Sequence, residues 1–293
     1  MKKKVEMQRL KFHAFDEEAD SMTTESVKKP RGRPRGTTNE NTPSKALDKG
    51  LSALKKIAET DGTSLNDLSI DLDMPLGTLH RLLLTLESHG FVRQSKSDAT
   101  WSIGIEAFRV GSAFPRAAKL LGIARPILKD LSNLTGETAN LGVMDLGEVI
   151  FIAQHETHHA IRAFFRPGSR GSWHSSGIGK AIAAYIAITD QKRLFDKAPF
   201  QQFTQNTLVQ EKGLLEEFNQ IRALGYAVDK EERYVGMRCI GAPVFNSANQ
   251  VVAGISISGP VARMDDQSIA ELGKATAKCG QDISRLLGAT VVN

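Results

Sequence analysis

Ser64-Leu65-Asn66-Asp67-Leu68-Ser69-Ile70-Asp71-Leu72-Asp73-Met74-Pro75-Leu76-Gly77-Thr78-Leu79-His80-Arg81-Leu82-Leu83-Leu84-Thr85-Leu86-Glu87-Ser88-His89-Gly90 is the stretch that decides how this chain is read. Ser64 is a good N-cap for a short helix carrying Leu65, Leu68 and Leu72, and Asp73-Met74-Pro75 ends it. From Leu76 a second pattern places Leu79, Leu82, Leu83 and Leu86 on one face, with Gly90 where a left-handed C-cap belongs. Upstream, Thr42-Pro43-Ser44 offers a helix start, and Leu47, Leu51, Leu54 and Ile57 recur on one face until Asp61-Gly62. Downstream, Phe91-Val92-Arg93 and Thr100-Trp101-Ser102-Ile103, separated by polar Gln94 to Asp98, read as a hairpin. Three helices with a tight turn between the second and third, closed by a hairpin, are the parts of a winged helix-turn-helix over residues 44–104. The third helix would enter the major groove of double-stranded DNA. Its outward residues Gly77, Thr78, His80 and Arg81 are then the candidates for base and phosphate contact, since the leucines are committed to packing.

Charge argues the other way. Residues 44–104 hold seven Lys/Arg against eight Asp/Glu, whereas phosphate contacts are the main sequence-independent source of DNA affinity. A small helical bundle that binds no DNA is the alternative reading. Residues 1–43 compensate, with ten Lys/Arg against seven Asp/Glu and no apolar periodicity, so they read as a disordered basic arm. Within it, Lys28-Lys29-Pro30-Arg31-Gly32-Arg33-Pro34-Arg35-Gly36 is similar to an AT-hook. Pro favours an extended backbone, Gly permits close approach, and Arg31, Arg33 and Arg35 suit the negative minor groove of A/T-rich DNA. A merely solvated basic linker is the plainer alternative. Met22 is a second possible start.

The 293 residues, 41% of them hydrophobic, are enough for two domains. No apolar run approaches the ~18 residues of a membrane span, and no secretory leader follows Met1. Two cysteines, Cys239 and Cys279, are too few for a disulfide framework. A cytoplasmic protein without membrane partners is expected.

The sequence resembles the IclR family of bacterial transcriptional regulators. Ala46 to Leu51, the run from Met74 to Val92 and the wing look like its DNA-binding module. Ile105 to Pro115 looks like its linker helix, and Ser175-Ser176-Gly177-Ile178-Gly179-Lys180-Ala181 and Gly225-Tyr226-Ala227-Val228-Asp229 like effector-domain motifs. Leu76-Gly77 departs from the more polar residues usual there, so no base preference carries over. The expected organisation is a linker helix over 105–118 and an effector domain over 119–293. For that domain the periodicities predict helices over 120–134, from near Ser175, over 190–197, 210–223 and 265–287. Strands are predicted at 138–145, 148–154, 160–165, 226–229, 238–246 and 250–258. Clustered strands with helices around them make the fold class α+β, and the resemblance implies a GAF-like domain with a mainly antiparallel sheet.

Ser175 to Gly179 enters a helix, so free N–H groups there would face an anion. Gly254-Ile255-Ser256-Ile257-Ser258 alternates, which puts both hydroxyls on one face. The resemblance implies that Gly177, Ile178, Asp229, Cys239, Ser256 and Ser258 hold a small carboxylate, with glyoxylate ahead of pyruvate and of aromatic acids. Hydroxyls, a thiol and amides can satisfy a carboxylate, and Asp229 can accept from a hydroxyl. Dimers, or dimers of dimers, would set two reading helices on an inverted repeat, and the effector would change their spacing through the linker helix. Whether this activates or represses a catabolic operon is left open. No cofactor is expected.

Enzymatic readings fare worse. His155-Glu156-Thr157-His158-His159 spells the zinc-protease string, but its mechanism needs a helix. The flanking residues are strand-like, and four residues of extended chain span roughly 13 Å, too far for one ion. Neither Cys239 nor Ser256 sits in a nucleophile elbow. An architectural DNA protein acting through the arm would need no ligand cavity.

Overall fold

The computed structural model describes residues 44–112, 115–197 and 199–290. The basic arm with Arg31, Arg33 and Arg35 lies outside these residues.

Helix α1 (Lys45–Ala58) is capped by the Ser44 side chain, and α2 (Leu65–Asp71) by Ser64, whose Oγ accepts from Asp67 N at 3.1 Å. Between α2 and α3 (Leu76–Ser88) the turn passes through Asp73 at φ +46° and buries Met74. Strands β1 (Val92–Gln94) and β2 (Trp101–Ile103) pair antiparallel, and Thr63 bridges to Trp101 from the other side. Ala53, Ile57, Leu68, Met74, Leu79, Leu83, Val92 and Trp101 form one core. The inward stripe of α1 differs from the predicted one. Gly50, Ala53 and Ile57 are buried, whereas Leu47 and Leu51 are 62% and 45% exposed. Small residues let α1 lie close to α3, which turns the leucine stripe outward.

The residues of 105–118, predicted as a linker helix, are helical where the structure describes them. Helix α4 spans Ile105–Ser112, and α5 spans Pro115–Thr135.

Six antiparallel strands follow: β3 (Thr138–Asp145), β4 (Glu148–His155), β5 (Arg170–Ser172), β6 (Ala227–Lys230), β7 (Met237–Phe245) and β8 (Val251–Pro260). They are ordered β5-β4-β3-β8-β7-β6. Helix α5 and α9 (Ile269–Leu286) cover one face, where Leu128, Leu131 and Ile283 pack on Ala139, Ile240, Ile255 and Ile257. Helices α6 (Gly177–Ala183), α7 (Ile188–Phe195) and α8 (Glu211–Leu224) build a second core with Trp173, Val149 and Phe151. The α+β expectation holds.

The strand predicted at 160–165 does not form. Ile161 is 72% exposed, and Phe165 instead stacks on Phe151 with ring centroids 4.4 Å apart. The partner of β4 comes later because Pro167-Gly168 makes the turn, Gly168 taking φ +89°. Alternation marked a loop folded over the sheet.

Candidate functional site

Helix α6 is buried along its whole length and packs closely on the centre of the sheet. A Cβ added to Gly241 would lie 2.2 Å from the Gly177 carbonyl carbon, so this approach requires glycine. Ser176 caps the helix, its Oγ accepting from Gly179 N at 2.9 Å, and the first N–H groups of a helix have no partner within it. With only seven residues, α6 offers those N–H groups more than a macrodipole.

The strand register then assembles a polar floor. Asp229 on β6 pairs with Cys239 on β7, Cys239 with Ser258 on β8, and Ser258 with Thr138 on β3. Directly opposed residues project to the same side of a sheet, so these four side chains form one row. The next row holds Asn140, Ser256 and Gly241. Gln154 donates to Asn140 (2.9 Å), and Asn140 Nδ2 donates to Ser258 Oγ (3.2 Å), which fixes that hydroxyl. Period-two alternation sends Ile255 and Ile257 to the opposite core while both serines are buried beneath the cavity.

The cavity above this floor has a volume of about 390 Å³, and Gly177, Ile178, Asp229, Cys239, Ser256 and Ser258 all line it. Phe151, Phe164, Phe165 and Tyr234 supply apolar wall, and Arg166, Arg170 and Arg233 stand around it. The hydroxyls of Ser169 and Ser175, both lining residues, are buried without a hydrogen-bond partner. Such groups favour a ligand with polar atoms. A larger cleft of about 730 Å³ lies against β6 and α8, where Glu217 and Glu232 line it and none of the six does.

Burial pushes the Asp229 carboxyl up to about 6, against the pull of Lys180 and of the N–H groups it accepts, including Glu232 N at 2.7 Å. Burial raises Glu232 to about 7. Burial and Asp229 push the Cys239 thiol far above its ordinary range, so it stays a thiol and is no nucleophile. His174, lowered by burial, sits 3.0 Å from the Gln201 carbonyl through Nε2.

Lys180 was not singled out by the sequence reading. It is fully buried, and its Nζ donates to Glu217 (2.7 Å), the Val228 carbonyl (2.8 Å) and Glu232 (2.5 Å). The signal was there. A lone lysine among Gly177-Ile178-Gly179 and Ala181-Ile182-Ala183 sits on a helix with no polar face, so it must find buried carboxylates. Arg233, stacked 3.8 Å over Phe203, gave no such signal, because its partner is thirty residues away in sequence.

On the reading head, Gly77, Thr78, His80 and Arg81 are all exposed along α3, and no atom lies within 4 Å of a Cβ placed on Gly77. The zinc-protease string does not fall on a helix. His155 ends β4, and Glu156 pairs with Arg162 (2.8 Å) in the loop that follows. Among the described residues no three His, Cys, Asp or Glu converge to hold a metal, and no helix is long and apolar enough to cross a membrane.

Residues 46–96 match the family described as IclR helix-turn-helix domain, and residues 116–285 match Bacterial transcriptional regulator IclR C-terminal. The chain is 44% identical over 257 residues to the HTH-type transcriptional regulator BhcR of Paracoccus denitrificans, covering 87% of this chain and 92% of that one. It is 37% identical to the HTH-type transcriptional repressor AllR of Escherichia coli, covering 83% and 90%. The crystal structure of the Thermotoga maritima IclR superposes with a TM-score of 0.69 at 30% identity, covering 83% of this chain and 98% of that one. These relatives are regulators and not enzymes, and the protein belongs to the IclR family of bacterial transcriptional regulators.

Proposed function

We propose that the protein is a cytoplasmic regulator whose affinity for an inverted-repeat operator is set by a small carboxylic acid bound in the 390 Å³ cavity, with glyoxylate first and pyruvate next. One observation carries this reading. The row Asp229-Cys239-Ser258 and the neighbouring Ser256 face the N-terminus of α6 across one cavity, so hydroxyl, thiol and backbone donors converge on a space that a carboxylate group fits.

Residues 44–104 read the operator through Gly77, Thr78, His80 and Arg81. The arm adds minor-groove contacts through Arg31, Arg33 and Arg35, residues 105–118 link, and residues 119–293 sense. Self-association fits the apolar residues that α4 presents to solvent, Ile105 and Val110 among them. A second route joins sensing to reading. Arg166, on the loop that walls the cavity, donates to the Glu59 carbonyl just past α1 (2.8 Å) and reaches Asp61 (3.4 Å). An acid that moves this loop therefore acts on the helix-turn-helix, provided it binds the DNA-competent and incompetent states unequally.

The aromatic wall of Phe151, Phe164 and Phe165 favours a second ligand, a larger or aromatic acid, because the cavity exceeds what two or three carbons fill. Titrating a gel shift on the protein's own upstream DNA with glyoxylate, pyruvate and 4-hydroxybenzoate decides between them. The small-acid reading expects glyoxylate or pyruvate to change the specific complex at lower concentration than the aromatic acid, and the reverse order would replace it.

A further inference from the structure

We infer that Lys180 is a positioning residue of the acid site: it clamps Glu232, Glu232 fixes Asp229 at the cavity floor, and this cluster takes up a proton when a carboxylate binds beside Asp229. The inference rests on the reading that the cavity accepts a carboxylate.

The geometry is a chain of direct contacts. All three N–H bonds of the Lys180 ammonium are used, on Glu217 of α8, on the Val228 carbonyl of β6 and on Glu232 of the loop after β6. Glu232 in turn donates its backbone N–H to Asp229 Oδ1 at 2.7 Å. The same loop is tied from behind, because Thr207 Oγ1 donates to the Glu232 carbonyl (2.6 Å) and Thr204 Oγ1 to the Glu231 carbonyl (2.7 Å). Lys180 thus connects the helix that opens the cavity to the carboxyl that closes it.

Charge supplies the second half. One ammonium faces the three carboxyls of Asp229, Glu217 and Glu232 in a buried space, an excess of two negative charges were all ionised. The Oε2 atoms of Glu217 and Glu232 find no hydrogen-bond donor among the protein groups, while Lys230 N donates to Glu232 Oε1 (3.3 Å). Backbone N–H groups of Glu232 and Arg233 relieve Asp229 in part, and no further cation is paired with the cluster among the described side chains. From β7, Cys239 contributes a thiol beside Asp229, and Arg238 is engaged with Met264 and Asp266. Lys230 and Glu231 flank the loop with opposite charges, burial lowers the His174 pKa, and Arg233 lies over Phe203. Consistent with this, burial raises Asp229 to about 6 and Glu232 to about 7. A bound carboxylate adds one more negative charge next to Asp229, which raises its pKa further. Protonated Asp229 then donates to the ligand, where an ionised one would repel it.

Glyoxylate titrated by calorimetry from about pH 5.5 to 8.5, in buffers of different ionisation enthalpy, reads this directly. Expected is uptake approaching one proton at neutral pH, and an affinity that is level below about pH 6 and falls by up to about tenfold per pH unit above it. Asp229→Asn, which replaces the acid with a permanent donor, flattens the profile. Glu232→Gln keeps the Lys180 hydrogen bond but removes a negative charge, and moves the fall to lower pH. Lys180→Met moves it to higher pH, and if that variant does not fold the Glu232→Gln shift decides alone. Opposite displacements are not what a merely structural lysine gives. Glyoxylate binding with no proton uptake and a flat profile overturns the inference while leaving the cavity reading intact. If glyoxylate binds at no pH, the small-acid reading fails, and carboxyl-carbon NMR of the free protein judges the cluster. A carboxyl titrating between about 6 and 7, shifted by Glu232→Gln, upholds it, and ordinary values near 4 refute it.

Discussion

Ser256 and Ser258 share a strand and a face, yet they are not equivalent. Ser258 Oγ accepts from Asn140 Nδ2, so Ser258→Ala leaves a buried donor unpaired, a loss of about 1–3 kcal/mol in stability. Ser256→Ala removes a hydroxyl with less dependent on it. Both should weaken glyoxylate binding by a few-fold to about tenfold, the worth of one neutral hydrogen bond. Calorimetry with parallel denaturant melts separates the two, and equal stability losses would contradict the Asn140 assignment. Asp229 adds a pH effect on folding itself. Its pKa is raised in the folded state, so ionising it opposes folding. Its contribution is favourable below the unfolded value near 4 and is lost as pH rises to about 6. The stability of Asp229→Asn relative to the parent should therefore climb across that interval, and a constant difference would show that burial does not perturb Asp229.

At the scale of elements, local patterns were readable wherever a helix or strand was built by its own period. The caps at Ser44 and Ser64, the turn before Pro75 and the alternation of β8 all depend on neighbours in sequence, and they stand where the residues put them. What failed depended on partners far along the chain. Leu47 and Leu51 form a good apolar stripe, but the close fit of Gly50 and Ala53 decides which way α1 turns. Residues 160–165 alternate like a strand, but the edge of β4 is taken by 170–172 after the Pro167-Gly168 turn. The six cavity residues were legible through family resemblance and strand alternation, whereas Lys180 and Arg233 owe their roles to contacts with α8 and Phe203. The loop that replaced the missing strand carries Arg166. Being solvent-exposed, its contact with Glu59 and Asp61 adds little stability. Arg166→Ala should keep glyoxylate affinity within about twofold yet reduce the effect of glyoxylate on operator affinity, on the premise that couplings of about 1–3 kcal/mol are typical. An unchanged effect would leave α4 as the only route.

For the whole molecule, the proposed hold on DNA depends on the balance between near-neutral residues 44–104 and basic residues 1–43. With eight acids against seven bases over residues 44–104, the proposed reading assigns most sequence-independent affinity to residues 1–43 and to pairing with a second copy. Removing residues 1–41 should therefore flatten the salt dependence of binding more than it blurs operator choice, while Arg81→Ala should cost about 1–3 kcal/mol on the operator itself. Fluorescence anisotropy on operator and random duplexes over a salt series distinguishes the two losses. The central claim, an operator-reading α3 switched by an acid in the effector domain, meets its most direct test in one titration. The full-length protein is bound to a labelled fragment of its own upstream region at physiological salt, with random duplex as competitor, and glyoxylate is added. The account predicts a specific complex whose affinity shifts by at least about fivefold with saturating acid, and a complex no tighter than that on random DNA, or one indifferent to every small acid tried, would contradict it.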